Sequence, residues 1–121
     1  MEGFVEIPGT NGKVLKKITQ TPEGTADSPK TGQKVSVHYK GYFQDGKVFA
    51  QSRGKKRKKP FVFKLGVGEV IRGWDVGVAS MKKGEKATFF IKSDYAYGSY
   101  GAGEDIPPNT DLYFDVELIN F

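Results

Sequence analysis

The sequence predicts an α+β fold: an antiparallel, twisted half-barrel sheet of about five strands wrapped around one short helix. Three observations carry that prediction. Several segments alternate apolar and polar residues with period 2, as half-buried strands do. Only the stretch around Trp74 repeats apolar residues at helical spacing. The strands also bring an unusual number of rings to one face, and such a face is covered by packing against the helix. At 121 residues without cysteine, the chain reads as one domain, 1–121, able to build a core without disulfides or cysteine-bound metal.

Residues 1–12 hold Pro8, Gly9, Asn11 and Gly12 and read as an irregular lead-in. Lys13 to Gln20 is a first strand; neither of its faces is cleanly apolar, so an edge position is expected. Thr21 to Gly32 is turn-rich. Gln33 to Gln44 is the clearest strand, with Val35, Val37 and Tyr39 on the apolar face and Ser36, His38 and Lys40 on the other. His38 is the only histidine. Without a cysteine or second histidine to join it, it reads as a surface or sheet-face residue. Asp45-Gly46 marks a hairpin leading into Lys47-Val48-Phe49. Phe61, Phe63 and Leu65 alternate along another strand.

The helix is predicted over Val70 to Val78, with Ile71, Trp74, Val78 and Met81 on its buried stripe. Gly73 and Gly77 each cost a helix about 1 kcal/mol against alanine, so close packing must hold it. Lys82, Lys83 and Gly84 read as its C-terminal signal. A strand follows from Gly84 to Lys92, with Ala87, Phe89 and Ile91 on one face. The loop from Ser93 to Thr110 carries Tyr95, Tyr97, Tyr100 and Pro107-Pro108. The last strand turns Leu112, Phe114, Val116 and Leu118 inward. Tyr39, Phe61, Phe63, Phe89 and Phe114 can all point toward Trp74. Two readings fit that convergence: a ring-filled core, or a ring-lined pocket between sheet and helix with the Tyr/Gly/Pro loop as its rim. Asp75, Glu69 and Asp94 read as surface or capping groups, with no pair placed for acid–base chemistry.

The net charge is +5, but the run Arg53-Gly54-Lys55-Lys56-Arg57-Lys58-Lys59 supplies six positive charges, and without it the balance is −1. The basic character is local. Lys55, Lys56, Arg57, Lys58 and Lys59 form a candidate patch for nucleic acid or an import receptor, against the plainer reading of a solvated loop. No apolar run is long enough to span a membrane, and the first residues lack the pattern of a signal peptide. The expected location is the cytoplasm, or the nucleus if the basic run acts as an address. A monomer is expected.

Seven segments, taken in order, resemble the FKBP-type peptidyl-prolyl cis-trans isomerases: Val37-His38-Tyr39-Lys40-Gly41, Asp45-Gly46-Lys47-Val48-Phe49, Phe61-Val62-Phe63-Lys64-Leu65-Gly66, Val70-Ile71-Arg72-Gly73-Trp74-Asp75, Tyr95-Ala96-Tyr97-Gly98, Ile106-Pro107-Pro108 and Phe114-Asp115-Val116-Glu117-Leu118. The resemblance covers about residues 13 to 121. It implies an isomerase of X–Pro bonds that uses no cofactor or metal, with proline-containing peptides and macrolides such as tacrolimus and rapamycin as ligands. It also implies a pocket of Tyr39, Phe49, Phe61, Val70, Ile71, Trp74, Tyr97, Ile106 and Phe114. Catalysis would fall to Tyr39, Phe49, Trp74, Tyr97 and Phe114, with the Ile71 N–H and the Tyr97 hydroxyl as donors to ligand carbonyls. The sequence departs from the family pattern at Ala50, where an aspartate is usual, and at Ala102 and Asp105, where many members have histidine and isoleucine. Weaker macrolide binding and a shifted preference at the rim are expected, and a proline-binding scaffold of low activity is the alternative.

Overall fold

A computed structural model of the protein describes residues 2–22, 24, 27–53 and 59–121. Its elements are β1 (Val5–Glu6), β2 (Val14–Gln20), β3 (Lys34–Tyr42), β4 (Val48–Gln51), β5 (Phe61–Lys64), α1 (Arg72–Ala79), β6 (Lys86–Ile91), a 3-10 turn (Ser93–Tyr95) and β7 (Leu112–Asn120). The strands form one antiparallel sheet in the order β1-β2-β6-β7-β3-β4, with β5 also paired to β3. The sheet has seven strands where the sequence suggests about five. One addition is β1, a two-residue strand inside the stretch expected to be an irregular lead-in; the other is the second arm of the Asp45-Gly46 hairpin, β4. Pairings this short carry too few residues to show periodicity.

The alternation along β3 and β7 is realised except at His38, expected at the surface of the sheet but only 8% exposed, where its ring meets Ser52 Oγ. Val35, Val37, Leu112, Phe114, Val116 and Leu118 are buried, and β3 pairs with β7 through Tyr39↔Val116 and Gly41↔Phe114. On β6, Phe89 and Ile91 face the helix, while Phe90 is buried on the other side against Tyr113. The edge expectation for the first strand holds for its second half only. Val5 and Glu6 cover Lys16 and Leu15, and Ile18 beyond them is 49% exposed.

The helix packs on β6 through its two glycines. A Cβ on Gly73 would meet Ile91 Cγ2 at 2.5 Å, and one on Gly77 would meet Phe89 Cε1 at 3.0 Å. The propensity lost at these positions is therefore the condition for close approach. The helix ends earlier than Lys82 and Lys83 suggest. Ser80 is its C-cap, with its hydroxyl donating to the Gly77 carbonyl at 2.6 Å, and no basic residue lies in the last turn. The cation at the negative end of the helix comes from β2. Lys16 Nζ donates to the Ser80 carbonyl at 3.0 Å and to Ser80 Oγ at 3.1 Å.

Candidate functional site: a ring-walled hollow over Trp74

Trp74 sits in the first turns of α1 and is 6% exposed. Four rings pack around its indole. Tyr39, Phe114 and Phe61 meet it edge-on at 4.9, 5.4 and 5.9 Å between centroids, and Phe63 tilts against it at 5.8 Å. These separations lie in the favourable range for aromatic pairs, about 0.5–1.5 kcal/mol each beyond area burial. The indole N–H is buried with no acceptor among the described residues.

Above this floor opens a hollow of about 210 Å³ between sheet and helix, lined by Tyr39, Phe49, Ala50, Phe61, Glu69, Val70, Ile71, Trp74, Tyr97 and Phe114. It is smaller than the ~300–1,000 Å³ usual for drug-sized ligands and suits a ring-sized group. A β-bulge shapes one wall. The β3–β4 register shifts between Gly41 and Tyr42, so the neighbours Phe49 and Ala50 both reach the hollow instead of alternating. Gly41 makes room for the Phe49 and Phe114 rings: a Cβ there would stand 2.6 Å from Phe49 Cζ and 2.8 Å from Phe114 Cε1.

The opposite wall is pinned by Asp75. Its Oδ1 accepts from the Gly66 N–H at 2.8 Å and its Oδ2 from the Gly68 N–H at 3.1 Å. The loop so held carries Val70 and Ile71. Ile71 is the N-cap of α1, and its N–H has no acceptor among the described residues, as expected ahead of a first helical turn. Tyr97 closes the rim at 38% exposure. Burial of its phenol, with Tyr39 adding to it, raises its pKa above the ordinary 10, so the hydroxyl stays protonated and able to donate at neutral pH.

Of the nine residues expected at the pocket, eight line the hollow, and all five expected to catalyse are among them. Ile106 is the exception. It is 5% exposed within the core, and its backbone bonds both ways with Ala102, at 2.8 and 3.1 Å, so that it clamps the rim loop from beneath. Gly101 makes that clamp possible, because a Cβ there would lie 2.3 Å from the Ile106 carbonyl oxygen. Glu69, read from sequence as a surface or capping group, both lines the wall and accepts from the Lys64 N–H at 2.9 Å. The basic run falls almost wholly outside the described residues; only Arg53 and the exposed Lys59 belong to them.

One antiparallel sheet closed over a single short helix, with an aromatic hollow between them, defines a class of small α+β domain. The profile of the FKBP-type peptidyl-prolyl cis-trans isomerases matches residues 25–119, and the chain belongs to that family. It is 56% identical over 105 residues to the peptidyl-prolyl cis-trans isomerase Fkbp12 of Drosophila melanogaster, covering 87% of this chain and 95% of that protein. It is 51% identical over 105 residues to FK506-binding protein 1 of Dictyostelium discoideum, covering 87% of this chain and 96% of that one. Against human peptidyl-prolyl cis-trans isomerase FKBP4 the identity is 46% over all 121 residues, which span 26% of the human protein.

Proposed function

We propose that this isomerase works on X–Pro bonds in the hollow over Trp74, with Tyr39, Phe49, Trp74, Tyr97 and Phe114 as its catalytic set. Rotation about the bond is opposed by amide resonance, a barrier of about 18–20 kcal/mol, and no covalent bond need break. At the twisted midpoint, conjugation between nitrogen and carbonyl is lost and the carbonyl is less polar. A dry, ring-walled site therefore costs the twisted amide less in solvation than it costs the planar one. The proline ring rests on Trp74, the Ile71 N–H and the Tyr97 hydroxyl donate to flanking carbonyls, and Phe61 and Val70 complete the walls. The carrying observation is the box of four rings around Trp74, which opens into a hollow that Tyr97 also lines.

Macrolides such as tacrolimus and rapamycin occupy the same hollow in this reading. Ala50 presents them with a methyl group, so a ligand hydroxyl directed at that wall goes unpaired. The experiment is the cis-to-trans rate of a Leu-Pro test peptide with and without tacrolimus. Acceleration blocked by the drug is expected. Acceleration that the drug leaves untouched would remove the macrolide reading, and no acceleration by folded protein would leave the proline-binding scaffold.

A second reading concerns Lys55, Lys56, Arg57, Lys58 and Lys59. The whole of the chain's net positive charge resides in the run that contains them, which favours contact with nucleic acid or an import receptor and a nuclear as well as cytoplasmic location. Nucleic-acid binding that falls steeply with salt and vanishes when the run is neutralised supports it. Absence of binding at low salt removes the nucleic-acid part, and fluorescence confined to the cytoplasm for a tagged chain removes the address.

A further inference from the structure

A second hollow, larger than that over Trp74, lies on the other face of the sheet. It is a trough of about 380 Å³ that crosses five strands, from Thr19 on β2 to Gln51 on β4. Five adjacent strands span about 19 Å, the reach of roughly six extended residues. The trough and the ring-walled hollow share one wall: Tyr39 belongs to both, and Ala50 and Gln51 are consecutive residues facing one and the other. Both therefore reach β4.

The edge of β4 can take a passing chain. Ser52 N–H donates to the Tyr39 carbonyl at 2.9 Å, so Tyr39 and Ser52 form a hydrogen-bonded pair. The antiparallel alternation then makes Lys40 and Gln51 a non-bonded pair, with the Gln51 N–H and carbonyl directed away from β3. No strand pairs with that side of β4 among the described residues.

The charges of the trough are unequally committed. Asp115 Oδ1 accepts from the Tyr42 hydroxyl at 2.9 Å and from Thr88 Oγ1 at 2.8 Å, and Glu117 is paired with Arg53 at 3.1 Å. Lys40 and Lys86 are exposed and form no ion pair among the described residues. Lys40 also lies over the Tyr42 ring at 5.6 Å, and with Arg53 the trough sets three cations against the two carboxylates, an excess of one positive charge. We infer that the trough is a second subsite for the substrate polypeptide: the chain flanking the proline crosses the β4 edge at Gln51 and lays acidic residues against Lys40 and Lys86. The inference rests on the isomerase reading of the Trp74 hollow and names the substrate class which that hollow prefers.

The test compares peptides that share an Ala-Leu-Pro-Phe core and carry two glutamates or two lysines, placed three and four residues before the proline or the same distance after it. At ~150 mM salt, kcat/KM is expected to favour glutamate over lysine about fivefold on one flank, as two partly screened charge contacts allow. The ratio falls to one or below, in favour of lysine, in Lys40→Glu/Lys86→Glu and persists in Lys82→Glu/Lys83→Glu, which changes the net charge equally. Equal rates for both peptides on both flanks overturn the subsite, and so does the same fall in the control variant. If the bare core peptide is not isomerised at all, the isomerase reading has failed instead. The trough is then decided by NMR: glutamate peptide that moves the Lys40 and Lys86 amide signals keeps it, and unmoved signals end it.

Discussion

Gly73 and Ile91 are in contact across the helix–sheet interface so closely that a methyl group on Gly73 would stand 2.5 Å from Ile91 Cγ2 and 2.7 Å from its Cδ1. The floor of the pocket depends on this contact, because Trp74 is the next residue and its height above the sheet follows the helix. Two effects compete in Gly73→Ala. Helix propensity improves by about 1 kcal/mol, and overpacking of a buried interface costs about 1–3 kcal/mol. Both Ile91 and Gly73 are buried, Ile91 with no exposure, so the clash wins. Net destabilisation of about 1–2 kcal/mol is expected in urea unfolding, together with altered Trp74 fluorescence. A stabilised variant would show that Ile91 yields.

Lys16 and Glu85 form a buried pair, 2.7 Å apart, with side chains 11% and 2% exposed. The approach is ionic, without the alignment of a hydrogen bond to that oxygen. Lys16→Met leaves a buried carboxylate uncompensated and uncaps the helix end, so a loss of about 3–5 kcal/mol is expected. Lys16→Met/Glu85→Met should recover most of it. A double variant no better than the single one would mean that the contacts of Lys16 to Ser80 matter more than the pair.

Tyr97→Phe keeps the rim's shape and removes its donor. A fall in kcat/KM of about 3- to 10-fold is expected, the worth of one neutral hydrogen bond, with the melting temperature nearly unchanged. Unchanged turnover would place the stabilising donor elsewhere.

Ala50→Asp places a carboxylate on the wall next to Phe49. Macrolide affinity should rise by about 1–3 kcal/mol, the cost of leaving a buried ligand hydroxyl unpaired, with little change in peptide turnover. Calorimetry with tacrolimus decides it; equal affinity in both proteins sinks the explanation.

His38 ties the trough to the pocket wall. Its Nδ1 lies 2.9 Å from Ser52 Oγ, which accepts from the Tyr39 N–H at 2.8 Å. Burial, with Arg53 adding and Glu117 opposing, holds the imidazole below its ordinary pKa of 6.5. The unfolded chain therefore binds a proton first as pH falls through 6.5, and the stability linked to His38 is present at pH 7 and lost on acidification. Wild-type protein should lose more stability between pH 7.5 and 5 than His38→Gln. Parallel curves for the two proteins would uncouple His38 from acid unfolding.

The strands β3, β5, β6 and β7 were legible because each turns one apolar face to the core, which imprints period 2 on the sequence, although β3 and β6 also bury His38 and Phe90 on the other face. The helix was legible because its stripe and its paired glycines occur nowhere else in the chain. Alternation placed Tyr39, Phe61 and Phe114 on the apolar face opposite Trp74, whereas Phe49, Val70, Ile71 and Tyr97 were expected at the pocket only through the family resemblance. What the sequence by itself determined is therefore the fold class, four of the five rings expected around Trp74 (Phe89 packs instead at Gly77) and the local character of the charge. Tertiary structure decided the rest, because the rest depends on register and on partners distant in the chain. The bulge that turns Phe49 and Ala50 to the same side is a property of how β4 meets β3. Ile106 leaves the expected wall because a bridge to Ala102 turns it into the core. The helix receives its terminal cation from Lys16, 64 residues before Ser80, rather than from Lys82 and Lys83. The trough exists only because pairing sets Lys40 beside Asp115 and Lys86 beside Glu117, a juxtaposition that no local pattern records.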